Sequence, residues 1–285
     1  MSKISPRNFD HVVLPVASLD SARQRYEKLG FTVAPDGRHK FGSENACVFF
    51  QDGTFLEPLA IGHRETVEAD IVKGNNFLRR DMGYRFRNGD DGFSMVVFGD
   101  PDPKTERKNL KKAGYNPGKI VIVRRPGVKV HIAFGIDERS PDFSTFLCER
   151  PEGPPKFPVE LTGHANGATG ISRVTLCEHL PEDFQYYLQT VSGQREVRSH
   201  SFGMDIELNN ATLSVLNEDG LKAHYGAKAS ADRGLRAVAF DVVVDSQSKV
   251  SELLDKNGVP SRMIGKRLIV DPAAGQGVII AFVEQ

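Results

Sequence analysis

Asp10-His11-Val12-Val13-Leu14, then Ser18-Leu19-Asp20-Ser21-Ala22, then Leu29-Gly30: this opening decides the architecture. Five largely apolar residues read as a strand. Ser18 is a helix N-cap, because its hydroxyl can accept an otherwise unpartnered backbone N–H of the first turn. Leu19, Ala22, Tyr26 and Leu29 share one helical face. Gly30 supplies the left-handed residue that ends a helix without a Cβ clash.

The same grammar returns three times. Strand segments start at Ser94, Ser172 and Arg236, and Asp102-Pro103, Pro181 and Ser246 open the helices. Gly114, Gly193 and Gly258 close them. The distance from strand to glycine is 20 residues from Asp10 to Gly30 and from Ser94 to Gly114. It is 21 from Ser172 to Gly193 and from Ala237 to Gly258. Three strand-like stretches follow each glycine. They fall at 31–34, 46–51 and 54–61; at 119–123, 131–136 and 143–149; at 195–199, 204–208 and 211–217; and at 259–264, 267–270 and 278–284. The order is βαβββ four times, an α+β class. One unit leaves an apolar sheet face uncovered, so units are expected in pairs, each pair a curved-sheet cup with helices outside. The proline-rich stretch Pro151-Glu152-Gly153-Pro154-Pro155 reads as an extended connector. The expected division is 1–150, a linker at 151–168, and 169–285. The polar gap 62–92 reads as a long loop, in which Arg79, Arg80, Arg85 and Arg87 are either solvated or a clamp for an anionic substrate.

Composition narrows the function classes. Lys plus Arg and Asp plus Glu are both 37, a zero balance that argues against nucleic acid as a partner. No apolar run approaches the ~20 residues of a membrane span, and the first residues carry no apolar leader. Cys47, Cys148 and Cys177 are scattered and odd in number. They read as reduced thiols of a cytoplasmic protein, working as a monomer or homodimer on a small molecule.

The βαβββ repeat, the opening Phe9-Asp10-His11-Val12-Val13 and the strand Phe55-Leu56-Glu57 resemble the vicinal-oxygen-chelate superfamily, which includes glyoxalase I, extradiol dioxygenases and bleomycin-resistance proteins. Gly37-Arg38-His39, Gly42-Ser43-Glu44-Asn45 and His164-Ala165-Asn166-Gly167 resemble a glyoxalase-like family within it. The resemblance implies metal ligands on the first and fourth strands of a unit, facing the cup. In unit one these are His11 and Glu57, a set that suits Zn, Ni, Fe or Mn. The corresponding positions are Met95 with Cys148 or Glu149 in unit two, Arg173 with Ser214 in unit three, and Ala237 with Ala281 in unit four. The ligand set is therefore incomplete, and the C-terminal pair is expected to hold no metal.

His11 and Glu57 read equally well as a metal-free acid–base pair. His39 is a third ligand or proton donor, or a residue of a hydrogen-bonded turn. Asn45, His131 and His164 are candidate substrate contacts; for His131 and His164 a purely structural role is the competing reading. Two functions follow. One is an enzyme, a lyase or isomerase assisted by a divalent metal and acting on a small oxygenated molecule. The alternative is a metal-free binding protein of the bleomycin-resistance type.

Overall fold

The computed structural model describes residues 6–125 and 128–284. Unit one contributes β1 (Asn8–Pro15), α1 (Leu19–Lys28), β2 (Gly37–Arg38), β3 (Ser43–Asn45), β4 (Val48–Phe49) and β5 (Phe55–Ile61). Two helices follow, α2 (Arg64–Val72) and α3 (Asn76–Asn88). Unit two is β6 (Met95–Asp100), α4 (Pro103–Lys112), β7 (Val121–Arg125), β8 (Val128–Gly135) and β9 (Ser144–Glu149). The connector holds one helical turn, α5 (Val159–Thr162). Unit three is β10 (Ala168–Cys177), a 3-10 turn at Pro181–Phe184, α6 (Gln185–Ser192), β11 (Arg198–His200), β12 (Gly203–Glu207) and β13 (Thr212–Leu216). After α7 (Glu218–Tyr225), unit four is β14 (Arg236–Val244), α8 (Gln247–Lys256), β15 (Arg262–Ile264), β16 (Arg267–Val270) and β17 (Ile279–Glu284).

The caps form as their residue types dictate. Ser18, Asp102 and Ser246 accept from the N–H groups of Ser21, Thr105 and Lys249. The four terminating glycines all have positive φ. Units one and two build a nine-stranded sheet and units three and four an eight-stranded one. Within each sheet the two units meet through their first strands, β1 against β6 and β10 against β14, both antiparallel. Each first strand also runs parallel to the last strand of its own unit.

Strand alternation sorts side chains onto two faces. Val12, Leu14, Val96, Phe98, Val174, Leu176, Phe240 and Phe282 join one core cluster that spans both sheets and the inner faces of α1, α6 and α8. The opposite faces of the two sheets carry separate clusters, around Val13, Met95 and Phe146 in the first and Ala239, Ile269 and Ile279 in the second. The convex faces thus meet across shared helices, and the two concave faces point away from each other.

Three expectations need correction. Residues 31–34 form no strand; β2 starts at Gly37. The connector 62–92 is not a polar loop but α2 and α3, which place Val67, Phe77 and Leu78 into the concave cluster of the first sheet. The equivalent connector of the second sheet holds α7, whose Leu221 and Tyr225 fill that cup. Arg80 donates to Ser144 Oγ and the Phe143 carbonyl, Arg87 pairs with Asp142, and Arg85 pairs with Asp81. These arginines fasten α3 to the sheet and do not form a substrate clamp.

Gly30 does more than end α1. Its φ is +85°, and a Cβ there would lie 2.9 Å from Asn166 Cβ in the connector. Gly114 has φ +88° with nothing within 4 Å of such a Cβ. Alanine at either site meets the same left-handed penalty, about 1–2 kcal/mol. Gly30→Ala must also displace the connector, so its urea midpoint is expected to fall below that of Gly114→Ala. Equal midpoints would mean that the connector yields without cost.

Candidate functional site

His11 leaves β1 and Glu57 leaves β5 on the concave face of the first sheet. His11 Nε2 lies 3.5 Å from Glu57 Oε2. The two side chains are thus within reach of one another. Asn45, on β3, donates from Nδ2 to Glu57 Oε1 at 2.5 Å. His39 sits in the tight β2–β3 turn, closed by Gly42 N–H to the His39 carbonyl at 3.0 Å. Its Nδ1 meets Ser43 Oγ at 2.9 Å, and its Nε2 stands 3.9 Å from Glu57 Oε1. All four side chains belong to buried residues. Their surroundings are aromatic: His11 stacks on Phe55 at 4.1 Å and meets Phe146 edge-on, while His39 stacks on Phe41.

Sequence reading missed the brace behind this group. Neighbouring strand residues normally point to opposite faces. At β1, however, the ladder with β6 slips between Phe9 and His11. Asp10 is the extra residue of that bulge, a device that re-aims side chains. Its Oδ1 lies 2.5 Å from His11 Nδ1. Arg150 grips the same carboxylate twice, Nε to Oδ2 at 2.6 Å and Nη2 to Oδ1 at 2.9 Å. The chain of contacts is Arg150, Asp10, His11, Glu57, Asn45. The adjacent Asp-His pair was the only local signal for it; Arg150 lies 140 residues away.

Charge follows from these contacts. Burial acts to raise the Glu57 carboxyl, but the hydrogen bond and charge of His11, with His39 and Asn45 behind them, bring it down to about 2. Burial acts to lower His11, and hydrogen bonds to Asp10 and Glu57 outweigh it, so its imidazole titrates above its ordinary value. Both shifts favour the ionised forms of the pair, a protonated imidazole beside a carboxylate. Stability linked to the raised His11 is complete below about pH 6.5 and is lost as pH rises through the folded value. Stability linked to the lowered Glu57 is complete above its ordinary value of 4.5 and is lost as pH falls toward about 2. The urea-midpoint advantage of the wild type over His11→Gln is therefore expected to be flat near pH 5–6 and to shrink as pH rises further. An advantage that grows with pH would show that His11 is neutral in the folded chain.

The other candidates lie elsewhere. His131 is on β8 at the same parity as Ala133, which faces the shared core, whereas Ile132 and Phe134 face the cup. Its Nδ1 meets Glu149 Oε2 at 2.6 Å. His164 accepts the Thr32 N–H on Nδ1 at 3.0 Å and reaches the Phe49 carbonyl with Nε2 at 3.0 Å. It pins the connector to the convex side of the first sheet, and burial lowers its pKa.

Register also corrects the repeat alignment. His11 pairs with Phe55 and Val13 with Glu57. In unit two Met95 pairs with Ser144 and Val97 with Phe146, so Phe146, not Cys148 or Glu149, holds the Glu57 position. In unit four Thr175 pairs with Ala239 as Val13 pairs with Met95, so Ala239, not Ala237, holds the His11 position, and Asp241 pairs with Ala281, which holds the Glu57 position as expected. Unit three holds Arg173 and Ser214 as expected.

A family model described as "Glyoxalase-like domain" matches residues 9–191. The chain belongs to the glyoxalase-like domain family. No curated protein was found to match it. Among solved structures, the glyoxalase-like chain is similar to a hypothetical protein from Staphylococcus aureus at 11% identity and TM-score 0.69, covering 97% of this chain and 99% of that one. It is similar to a mutant of 4-hydroxymandelate synthase from Streptomyces coelicolor at 13% identity and TM-score 0.66, with 98% and 93% covered. A Mn(II)-bound glyoxalase from Novosphingobium aromaticivorans gives 11% identity and TM-score 0.62, with 98% and 82% covered. The shared architecture is the paired-cup fold of the vicinal-oxygen-chelate superfamily.

The glyoxalase-like fold implies a metal between strands one and four of paired units, and the donor chemistry of this chain tests it. A mononuclear site takes at least three protein ligands. His11 and Glu57 supply two, while Met95 and Phe146 hold the partner-unit positions. Among the described residues no group of three His, Cys, Asp or Glu is placed to hold a metal ion. The residues present do not fit a complete metal site. Among the same residues no helix is long and apolar enough to cross a membrane.

Proposed function

We propose that the N-terminal cup binds a small oxygenated molecule and moves a proton next to its carbonyl group, the step shared by isomerases and lyases. The observation that carries this reading is the buried His11–Glu57 pair, fixed from behind by Asp10–Arg150 and at its side by Asn45. Glu57 takes the proton from the carbon beside the carbonyl. The C–H electron pair becomes a C=C bond, and the carbonyl π pair moves to oxygen, which the His11 imidazolium receives. With an α-hydroxy carbonyl substrate, Glu57 returns the proton to the former carbonyl carbon while the hydroxyl proton passes by way of His11 to the enolate oxygen, which completes an isomerisation; loss of a leaving group with its electron pair from the β carbon completes a lyase reaction instead. Asn45 orients Glu57, and His39 stands beside the same Glu57 oxygen. For the divalent-metal version, with Zn, Ni, Fe or Mn on His11 and Glu57, no group of three donors is placed to hold the ion among the described residues even with His39 nearby, so the step is assigned to side chains.

The same reading takes 1–150 as the active domain, 151–168 as linker and 169–285 as its metal-free companion, in a cytoplasmic monomer or homodimer. Substrate contacts by His131 or His164 are not part of it, since neither reaches the cup.

A second reading, ligand sequestration without turnover, draws on one observation: a carboxyl brought down to about 2 is a weak base until a ligand separates it from His11. Deuterium exchange into small α-hydroxy ketones and aldehydes, followed by proton NMR in D2O, tests the two. Site-dependent exchange that survives a chelator is expected. Ligand binding with no exchange would favour sequestration, and exchange abolished by the chelator would favour the metal-assisted form.

A further inference from the structure

The second cup has kept the geometry of the first and changed its charge. Arg173 stands at the register of His11, and Ser214 at that of Glu57. Arg173 Nη1 donates to Asp205 Oδ1 at 3.0 Å and to Ser214 Oγ. A guanidinium has no lone pair to offer a metal and cannot be deprotonated in a protein. This cup therefore carries a permanent cation of its own where the first carries a titratable imidazole.

Further cations gather around it. Arg198 Nη2 meets Asp205 Oδ2 at 2.7 Å, and Arg267 Nε meets Asp241 Oδ2 at 2.9 Å. The remaining Asp241 oxygen receives the Tyr225 hydroxyl at 2.8 Å. Both carboxylates are thus fully engaged. In the interior Arg173 and Arg267 face Asp205 and Asp241, and at the exposed rim Arg198 pairs with Asp205 and comes within 3.9 Å of Glu207. Arg173 Nη2 has no hydrogen bond among the described residues, and Arg267 Nη1 comes within 3.5 Å of His224 Nδ1; both side chains are mostly covered. Burial, and then the charges of Arg267 and Arg173, hold the His224 pKa below its ordinary value, as a positive potential requires. Between these groups lies a cavity of about 310 Å³ lined by Arg173, Arg198, His200, His224, Tyr225 and Arg267.

We propose that this C-terminal cavity is a binding site for a small organic monocarboxylate, taken up by the guanidinium groups of Arg173 and Arg267 that line it. Guanidinium N–H donors match the two oxygens of one carboxylate in charge and geometry. The Tyr225 ring beneath Arg267 and Phe202 against His224 supply an apolar wall for the rest of the molecule. The site is independent of the proton-transfer reading of the first cup.

Calorimetric titration of the full chain with benzoate at low salt, with the His224 imidazole followed by NMR, tests this. One benzoate per chain is expected, with a shift of the His224 signal. Arg267→Gln should weaken it about tenfold or more, the loss expected for a charge-assisted hydrogen bond. Because Arg267→Gln leaves buried Asp241 without its partner, Arg198→Gln provides a second variant. Its side chain is 68% exposed and its loss spares the core; affinity should fall several-fold. Glu57→Gln should bind benzoate as the wild type does. Absence of binding at about 10 mM benzoate, affinity unchanged in both arginine variants, or tighter binding of inorganic phosphate than of benzoate would each overturn the assignment.

Discussion

Glu57→Gln is expected to abolish proton exchange in the first cup, lowering its rate by roughly 10²–10⁴-fold, the usual worth of a general base. The amide keeps the shape of the carboxylate and removes its charge and its basicity. It also removes the partner that raises His11, so the imidazole signal followed by NMR should titrate at lower pH than in the wild type. The second readout separates chemistry from damage, since a misfolded site would lose the coupling to Asp10 as well. A variant that exchanges protons at the wild-type rate would remove Glu57 from the mechanism. If no exchange occurs in either protein and ligand affinity changes only modestly, the cup sequesters its ligand.

Arg85→Ala should be the most destabilising single change in the helical cover of that cup. Asp81 is fully buried, and Arg85 Nε donates to its Oδ2 at 2.8 Å. The same guanidinium donates to the carbonyls of Val16 at 3.0 Å and Leu59 at 2.7 Å, tying α3 to the end of β1 and to β5. Removing one partner of a buried ion pair costs about 3–5 kcal/mol. The lower end is expected, because burial already raises the Asp81 pKa and the stranded carboxyl can take up a proton. Urea unfolding reads the loss. Asp81→Asn should cost less than Arg85→Ala, as it keeps a polar partner for Arg85. The reverse order would show that Asp81, and not the carbonyl contacts, needs Arg85.

Much of this molecule could be read before its coordinates. Strand, cap and glycine recur at one spacing, and period-two alternation fixes which side of β1 and β5 faces the cup. Hence His11, Glu57, His39 and Asn45 do converge. The closing helices escaped notice because α2 and α3 carry their apolar residues sparsely among charges. Phe77, Leu78, Asp81 and Arg85 share a helical face, but half of that face is an ion pair. The Asp10 brace depends on a bulge, which breaks the alternation that sequence reading relies on. His131 fell on the wrong face because a strand histidine carries no mark of its parity until neighbours such as Ile132 are assigned. His164 was legible as a connector residue, but docking of that connector rests on long-range contacts to Thr32 and Phe49.

The outward orientation of the two cups sets the arithmetic of occupancy. With one shared core between them, no side chain of one cup can reach a molecule held in the other, and no intermediate can pass directly across. Each ligand should then raise the unfolding free energy by its own logarithmic increment, RT ln(1 + [L]/Kd), and the two increments should sum when both are present. The duplicated unit would thus give one polypeptide two separately saturable compartments, one built around an imidazole–carboxylate pair and one around a guanidinium, each able to change its selectivity without disturbing the other.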